Sequence, residues 1–259
     1  MYSQIDKKTQ IQKDLFRSGQ SQAIGFRVEM LEKLLLAIEI NENRLMRAMK
    51  LDLGKPGFES YTTEILLVKR HLRYTLSHLK QWSKPKVAPG NVLLMGKKTK
   101  IQAVPRGNVL VIAPFNYPVQ LSLIPLVTAL SAGNTVALKP SEKTPRTSLV
   151  LKLILEEAMG DWVHVHLGDG KLASQLVQKG YDFIFFTGSQ KTGQIVAEQA
   201  SKTWTPVLLE LGGKSPAVVC EDANISLSAK RIAWGKWLNG GQTCVAPDYV
   251  LVHESVAED

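Results

Sequence analysis

A chain of 259 residues, 44% hydrophobic and 21% charged, has the make-up of a globular protein with room for one large domain or two small ones. Its net charge of +9 is concentrated in residues 1–106, where 20 Lys and Arg stand against 9 Asp and Glu; scattered over amphipathic helices without aromatics at stacking intervals, they predict a solvated face and no nucleic-acid site. No apolar run has the length of a membrane span, the N-terminus lacks the apolar core of a secretory leader, and two cysteines, Cys220 and Cys244, are too few for a disulfide framework or a metal cluster, so a cytoplasmic protein without a metal site is expected.

In chain order, Val28, Leu31, Leu35 and Ile38 recur at three- and four-residue steps and predict a helix with one buried face. Asn41 reads as the N-cap of a second helix ending near Gly54 and Pro56. A third runs from about Glu59 to Trp82, where Ser83-Lys84-Pro85-Lys86 breaks it. Short strands at 92–95 and 99–104 around Gly96 make residues 83–107 a projecting hairpin. From Lys80 to Arg106 there are seven basic residues and no acid, a stretch suited to an anionic surface or to plain solvent.

Beyond Gly107 short, continuously apolar strands at 109–113, 135–138, 163–167, 183–186 and 207–209 alternate with helices at 121–132, 145–159, 172–178 and 193–199. Strands apolar on both faces belong in a parallel sheet covered by helices. The predicted fold is therefore α/β, a doubly wound Rossmann-like sheet with ligands beyond the carboxyl ends of its strands. From Ala217 onward a strand ending at Cys220, a helix at 225–238, a loop carrying Cys244 and a strand at 249–253 open a second α/β unit. Cys220, at the end of an apolar run, reads as core.

Two segments carry candidate chemistry. Leu209-Glu210-Leu211-Gly212-Gly213-Lys214-Ser215-Pro216 offers a carboxylate on a glycine-flanked turn, and Gly240-Gly241-Gln242-Thr243-Cys244 a thiol behind a glycine pair. Taken singly they are a solvated acid and a small hydrophobe; together they are a base and a nucleophile for covalent chemistry at a carbonyl. Gly188-Ser189-Gln190-Lys191-Thr192-Gly193 follows a strand and opens a helix, so its free amides can face a phosphate. Lys139 and Glu142 end another strand, as an exposed ion pair or as contacts to a ribose. Asn116 reads as a turn residue before Tyr117-Pro118. The five histidines show no metal spacing.

These segments, with Pro114-Phe115-Asn116-Tyr117-Pro118 and Lys139-Pro140-Ser141-Glu142-Lys143-Thr144-Pro145, resemble in order and spacing the motifs of the aldehyde dehydrogenase superfamily, most closely its class 3, fatty and aromatic aldehyde branch. Phe115 stands where that branch more often has Trp. The resemblance implies Cys244 as nucleophile, Glu210 as the base that activates water, and the Asn116 amide with the Cys244 N–H as donors to the oxyanion. It implies cofactor contacts at Lys139, Ser141, Glu142, Gly188, Ser189, Gly193, Leu211 and Gly212. NAD is expected ahead of NADP, because a carboxylate at Glu142 repels a 2′-phosphate. An aldehyde substrate and a homodimer complete the expectation.

The resemblance also sets an expected layout: a cofactor-binding domain from 1–82 with 108–211, a bridging hairpin at 83–107, and the first part of a catalytic domain at 212–259. Family members continue well past the cysteine and hold the nicotinamide ribose there with a Glu-x-Phe-Gly-Pro segment that this sequence lacks. A truncated enzyme with little or no activity of its own is expected. The rivals are a non-catalytic nucleotide-binding fragment and a coenzyme A-acylating dehydrogenase, the latter disfavoured by Glu210, which such chemistry does not need. A scaffold protein has no use for all these motifs together.

Overall fold

The computed structural model describes residues 2–90 and 97–258. Its centre is a five-stranded parallel sheet built from β3 (Asn108–Ile112), β4 (Thr135–Lys139), β5 (Val163–Val165), β6 (Phe183–Gly188) and β7 (Val207–Leu211), in the order β5-β4-β3-β6-β7. Register is set by Val109 opposite both Val136 and Phe183, and by Thr187 opposite Glu210.

Alternation along β3 explains why the sheet is covered twice. Val109 and Val111 point into one core with Leu31, Leu34 and Ile38 of α2 (Ile24–Ile40), Leu45 and Met49 of α3 (Glu42–Leu53), and Leu123 and Leu126 of α6 (Gln120–Ser131). Leu151 and Leu155 of α7 (Pro145–Met159) close that side. Leu110 and Ile112 point into the opposite core with Leu172 and Leu176 of α8 (Gly170–Val177) and Val196 and Ala200 of α9 (Gln190–Ser201). From β3 the chain winds outward through β4 to β5, then returns to place β6 on the other side of β3. That reversal opens a crevice beyond the carboxyl ends of β3 and β6.

The helical elements before the sheet differ from expectation in three ways. A first helix, α1 (Tyr2–Arg17), escapes the apolar pattern because its buried face includes Thr9 and Gln12; Gln12 Nε2 donates to the Val136 carbonyl at 2.8 Å. Asn41 sits at the start of α3 but does not cap it: its Nδ2 donates backward to the Ala37 carbonyl at 2.9 Å, closing α2. The third helix starts earlier and is composite, with α4 (Gly57–Ser60), a π turn (Tyr61–Ile65) and α5 (Leu66–Trp82) running without a break.

In the hairpin region β1 (Lys86–Val87) pairs antiparallel with β2 (Lys100–Ile101). The expected strand at 99–104 thus shrinks to two residues; the one at 92–95 lies outside the described residues. Beyond β7, β8 (Ala217–Val219) pairs in parallel with β9 (Val250–Val252), and α10 (Ile225–Trp237) crosses between them. All three residues of β9 are exposed. Cys220, expected in a core, is exposed for the same reason, since it follows the last residue of this thinly covered pair.

Candidate active site

A cleft of about 1090 Å³ lies at the crest of the sheet. Asn116 enters it from the loop after β3, Lys139, Ser141 and Glu142 from the end of β4, Gly188 and Ser189 from the end of β6, Glu210, Leu211 and Gly212 from the end of β7, and Cys244 from the loop after α10. Ten of the eleven residues expected at a site therefore line one cleft.

Gly193 is the exception. It is buried one turn into α9, and a Cβ built there would lie 2.8 Å from Leu211 Cδ2. Its role is close packing of α9 beneath β7, so it shapes the cleft floor from behind. Glu210 also differs in setting: it stands in β7, opposite Thr187, with the two glycines following the strand.

The cysteine loop reaches the crest through consecutive left-handed residues, Asn239 (φ 56), Gly240 (φ 62) and Gly241 (φ 78). Glycine meets that demand without strain and asparagine tolerates it best among the rest. A Cβ on Gly241 would come within 3.2 Å of the Lys236 carbonyl. The turned loop is then tied to the loop after β3. Asn116 Nδ2 donates to the Gln242 carbonyl at 2.7 Å, Asn239 Nδ2 donates to the Asn116 carbonyl at 2.8 Å, and the Tyr117 and Thr243 hydroxyls share a bond at 2.6 Å. Burial pushes the Tyr117 phenol above its ordinary range, and the nearby Glu59, Glu64 and Cys244 add to the rise against the Thr243 hydrogen bond, so it acts as a neutral strut.

On the other wall Lys139 is buried and its Nζ lies 2.6 Å from Glu142 Oε2. Partial burial opposes ionisation of Glu142, but the hydrogen bond from Lys139, a backbone amide and the charges of Lys139 and Lys143 outweigh it and hold the carboxyl below the usual range. The ion pair expected as one alternative exists, and it faces the cleft. Ser189 caps α9 by accepting the Thr192 N–H at 3.3 Å. The amides of Gln190 and Lys191 precede any intrahelical acceptor, and both residues are exposed.

Four residues that the sequence did not single out support this site: Lys55, Glu59, Glu64 and Asn239. Lys55 and Glu64 form a fully buried pair at 2.5 Å, and Glu64 Oε2 accepts the N–H groups of Val119 and Gln120 at 2.7 and 3.2 Å, at the entry of α6. Glu59 Oε1 accepts the Asn239 N–H at 2.6 Å. Only the Asn239-Gly240-Gly241 run, a turn signal, hinted at any of them.

An open parallel sheet with a ligand-sized cleft beyond its switch point is the architecture of nucleotide-binding α/β proteins. The chain belongs to the aldehyde dehydrogenase family, whose profile matches residues 2–259. It is 43% identical over 256 residues to a 4,4'-diaponeurosporen-aldehyde dehydrogenase of Staphylococcus aureus, spanning 98% of this chain and 56% of that protein. It is 41% identical to the mouse aldehyde dehydrogenase family 3 member B3, spanning 98% of this chain and 53% of that protein, which agrees with the class 3 resemblance. The structure of a Bacillus cereus aldehyde dehydrogenase in complex with NAD+ superposes with a TM-score of 0.91 at 28% identity, covering all of this chain and 53% of that one. The chain thus spans about half the length of the proteins it matches.

Proposed function

We propose that this chain carries the cofactor half and the nucleophile of an enzyme that oxidises an apolar aldehyde to a carboxylic acid. The observation that carries the reading is the convergence of a thiol, a carboxylate and a side-chain amide with the crest of a doubly wound sheet in one cleft. Residues 1–82 with 108–211 make the cofactor-binding domain in this reading, 83–107 a bridging hairpin that meets a second copy, and 212–259 the opening of the catalytic domain.

The crest suits a dinucleotide. Open amides at the start of α9 match a pyrophosphate, the Lys139–Glu142 pair offers a donor and an acceptor to a ribose, and the ionised Glu142 favours NAD over NADP. The structural match to an NAD+ complex supports the same assignment. When bound, this group accepts the hydride released from the substrate carbon.

Cys244, as thiolate, adds to the aldehyde carbon, and the carbonyl π electrons move to oxygen. That oxyanion faces the amides of Asn116 and Cys244. Loss of hydride restores the carbonyl as a thioester. Glu210 then removes a proton from water, the hydroxide adds to the thioester, and the carbon–sulfur bond breaks to return the thiolate and release the acid. Ile124, Phe183, Phe185 and Leu208 line the same cleft and suit an apolar substrate; the staphylococcal relative is named for a diaponeurosporen-aldehyde.

Calorimetry with NAD and AMP, followed by a single-turnover assay with a medium-chain aldehyde, tests the reading. Expected are cofactor binding and at most a slow, Cys244-dependent formation of one equivalent of NADH that stalls at the thioester in Glu210→Gln. A folded sample that binds neither NAD nor AMP, or NADH formation that survives Cys244→Ala, overturns it.

A further inference from the structure

We infer that the π turn Tyr61–Ile65 is a two-armed clamp that fixes the cysteine loop against the Asn116 loop, with Glu59 and Glu64 as its positioning residues. This rests on the reading that Cys244 and Asn116 carry the chemistry.

The geometry follows from helix phase. In an α-helix a step of five residues turns the side-chain direction by about 140°, so Glu59 and Glu64 would face different neighbours. A π turn accommodates one extra residue, and across it five positions span what four span in an α-helix, a difference of about 40°. Both carboxylates therefore leave the helix on the same side. Glu59 stands two residues before the π turn and Glu64 within it.

Each arm holds a different loop. Glu59 accepts the main-chain N–H of Asn239, the first of the three left-handed residues that lead to Cys244. Glu64, with no exposure at all, accepts the N–H groups of Val119 and Gln120, three and four residues after Asn116. Its second oxygen holds Lys55, whose Nζ sits 4.3 Å from the centre of the Tyr117 ring; the Tyr117 hydroxyl reaches Thr243, next to the thiol. Asn239 closes the circuit by donating from Nδ2 to the Asn116 carbonyl. One helical irregularity thus sets the distance between the attacking sulfur and the amide that receives the developing charge, and such distances govern rate steeply.

Hydrogen–deuterium exchange of the whole chain, in wild type and in Glu59→Ala, Glu59→Gln and Asn239→Gly, tests the clamp. In Glu59→Ala exchange across residues 238–245 is expected to rise about tenfold while β3 and β4 stay protected; Glu59→Gln, which keeps an acceptor oxygen, restores protection to within about threefold. Asn239→Gly relieves the left-handed backbone yet cuts the link to Asn116, so exchange is expected to rise in both 238–245 and 113–119. Unchanged exchange at 238–245 in Glu59→Ala, or no rescue by Glu59→Gln, overturns the clamp. If Glu59→Ala fails to fold, Asn239→Gly decides alone, and protection retained in both loops overturns it. The chemistry is read separately, from the ratio of Cys244 to Cys220 alkylation by iodoacetamide in wild type: equal rates defeat the catalytic reading and leave the exchange result standing.

Discussion

Asn116 donates its side-chain amide to the main-chain carbonyl of Gln242 at 2.7 Å, across 126 residues of sequence. An amide nitrogen has two hydrogens, so the bond that fixes the side chain leaves a second N–H to meet an oxyanion. Anchoring is seen and donation is proposed, and each has its own signature on substitution.

Asn116→Ala is expected to slow NADH formation in a single turnover about 10²–10³-fold, the usual consequence of losing one oxyanion donor. Loss of the Gln242 bond should lower stability by only about 1 kcal/mol. Stopped-flow absorbance and thermal melts separate the two effects, and a rate that falls only as far as the stability does would assign Asn116 to anchoring alone.

In the proposed cofactor pose Glu142→Ser removes a carboxylate that would repel a 2′-phosphate, so relative affinity is expected to move toward NADP. The folded pKa is depressed, which puts the charge in place throughout neutral pH. Discrimination in the wild type should weaken between pH 8 and pH 5 only as far as the 2′-phosphate takes up its second proton near ~6, and be lost as pH drops through the lowered glutamate value, below the ordinary ~4.3. Calorimetric titrations with both cofactors at two pH values check this.

Lys55→Met leaves the Glu64 carboxylate buried without its cation, and a loss of about 3–5 kcal/mol is expected. Burial already raises the Glu64 pKa against the opposing pull of Lys55, and without the lysine only the Val119 and Gln120 N–H groups oppose the rise. The folded variant would hold a proton that the unfolded chain has released, so its stability should fall further as pH rises above ~4.3. Denaturant melts at pH 5 and pH 8 give the comparison.

His166 is buried, and desolvation, aided by the charge of Lys8, pushes its pKa down to about 4. Its neutral form is the folded one. Stability is therefore complete above the ordinary value near 6.5 and is lost as pH falls toward 4, on the order of 2 kcal/mol between pH 7 and pH 5. His166→Leu should flatten that part of the melting profile, and an unchanged slope would place the acid sensitivity elsewhere.

The runs at 109–113 and 183–186 were legible as parallel strands because a short, continuously apolar run suits a sheet covered on both faces; every residue of β3 is buried, while Phe183 and Phe185 are half-buried at the cleft. Glu210, Cys244 and Asn116 were legible through their glycine, proline and aromatic neighbours. The clamp was not, because reading apolar period assumes constant helical phase, and the π turn shifts it between Glu59 and Glu64. Thr9 and Gln12 hid α1 by placing polar groups on its buried face. Cys220 misled because an apolar neighbourhood in sequence stands for burial only where another layer lies over it, and β8 and β9 are thinly covered.

The order of elements also sets a schedule for synthesis. The last sheet strand closes at Leu211 and the thiol follows at position 244. Chains are made N-terminus first, at about 5–20 residues per second, and their domains fold as units along the way. Every strand of the sheet has therefore left the ribosome's catalytic centre before the cysteine is added. The sheet whose crest forms the cleft can thus assemble ahead of the thiol that lines it.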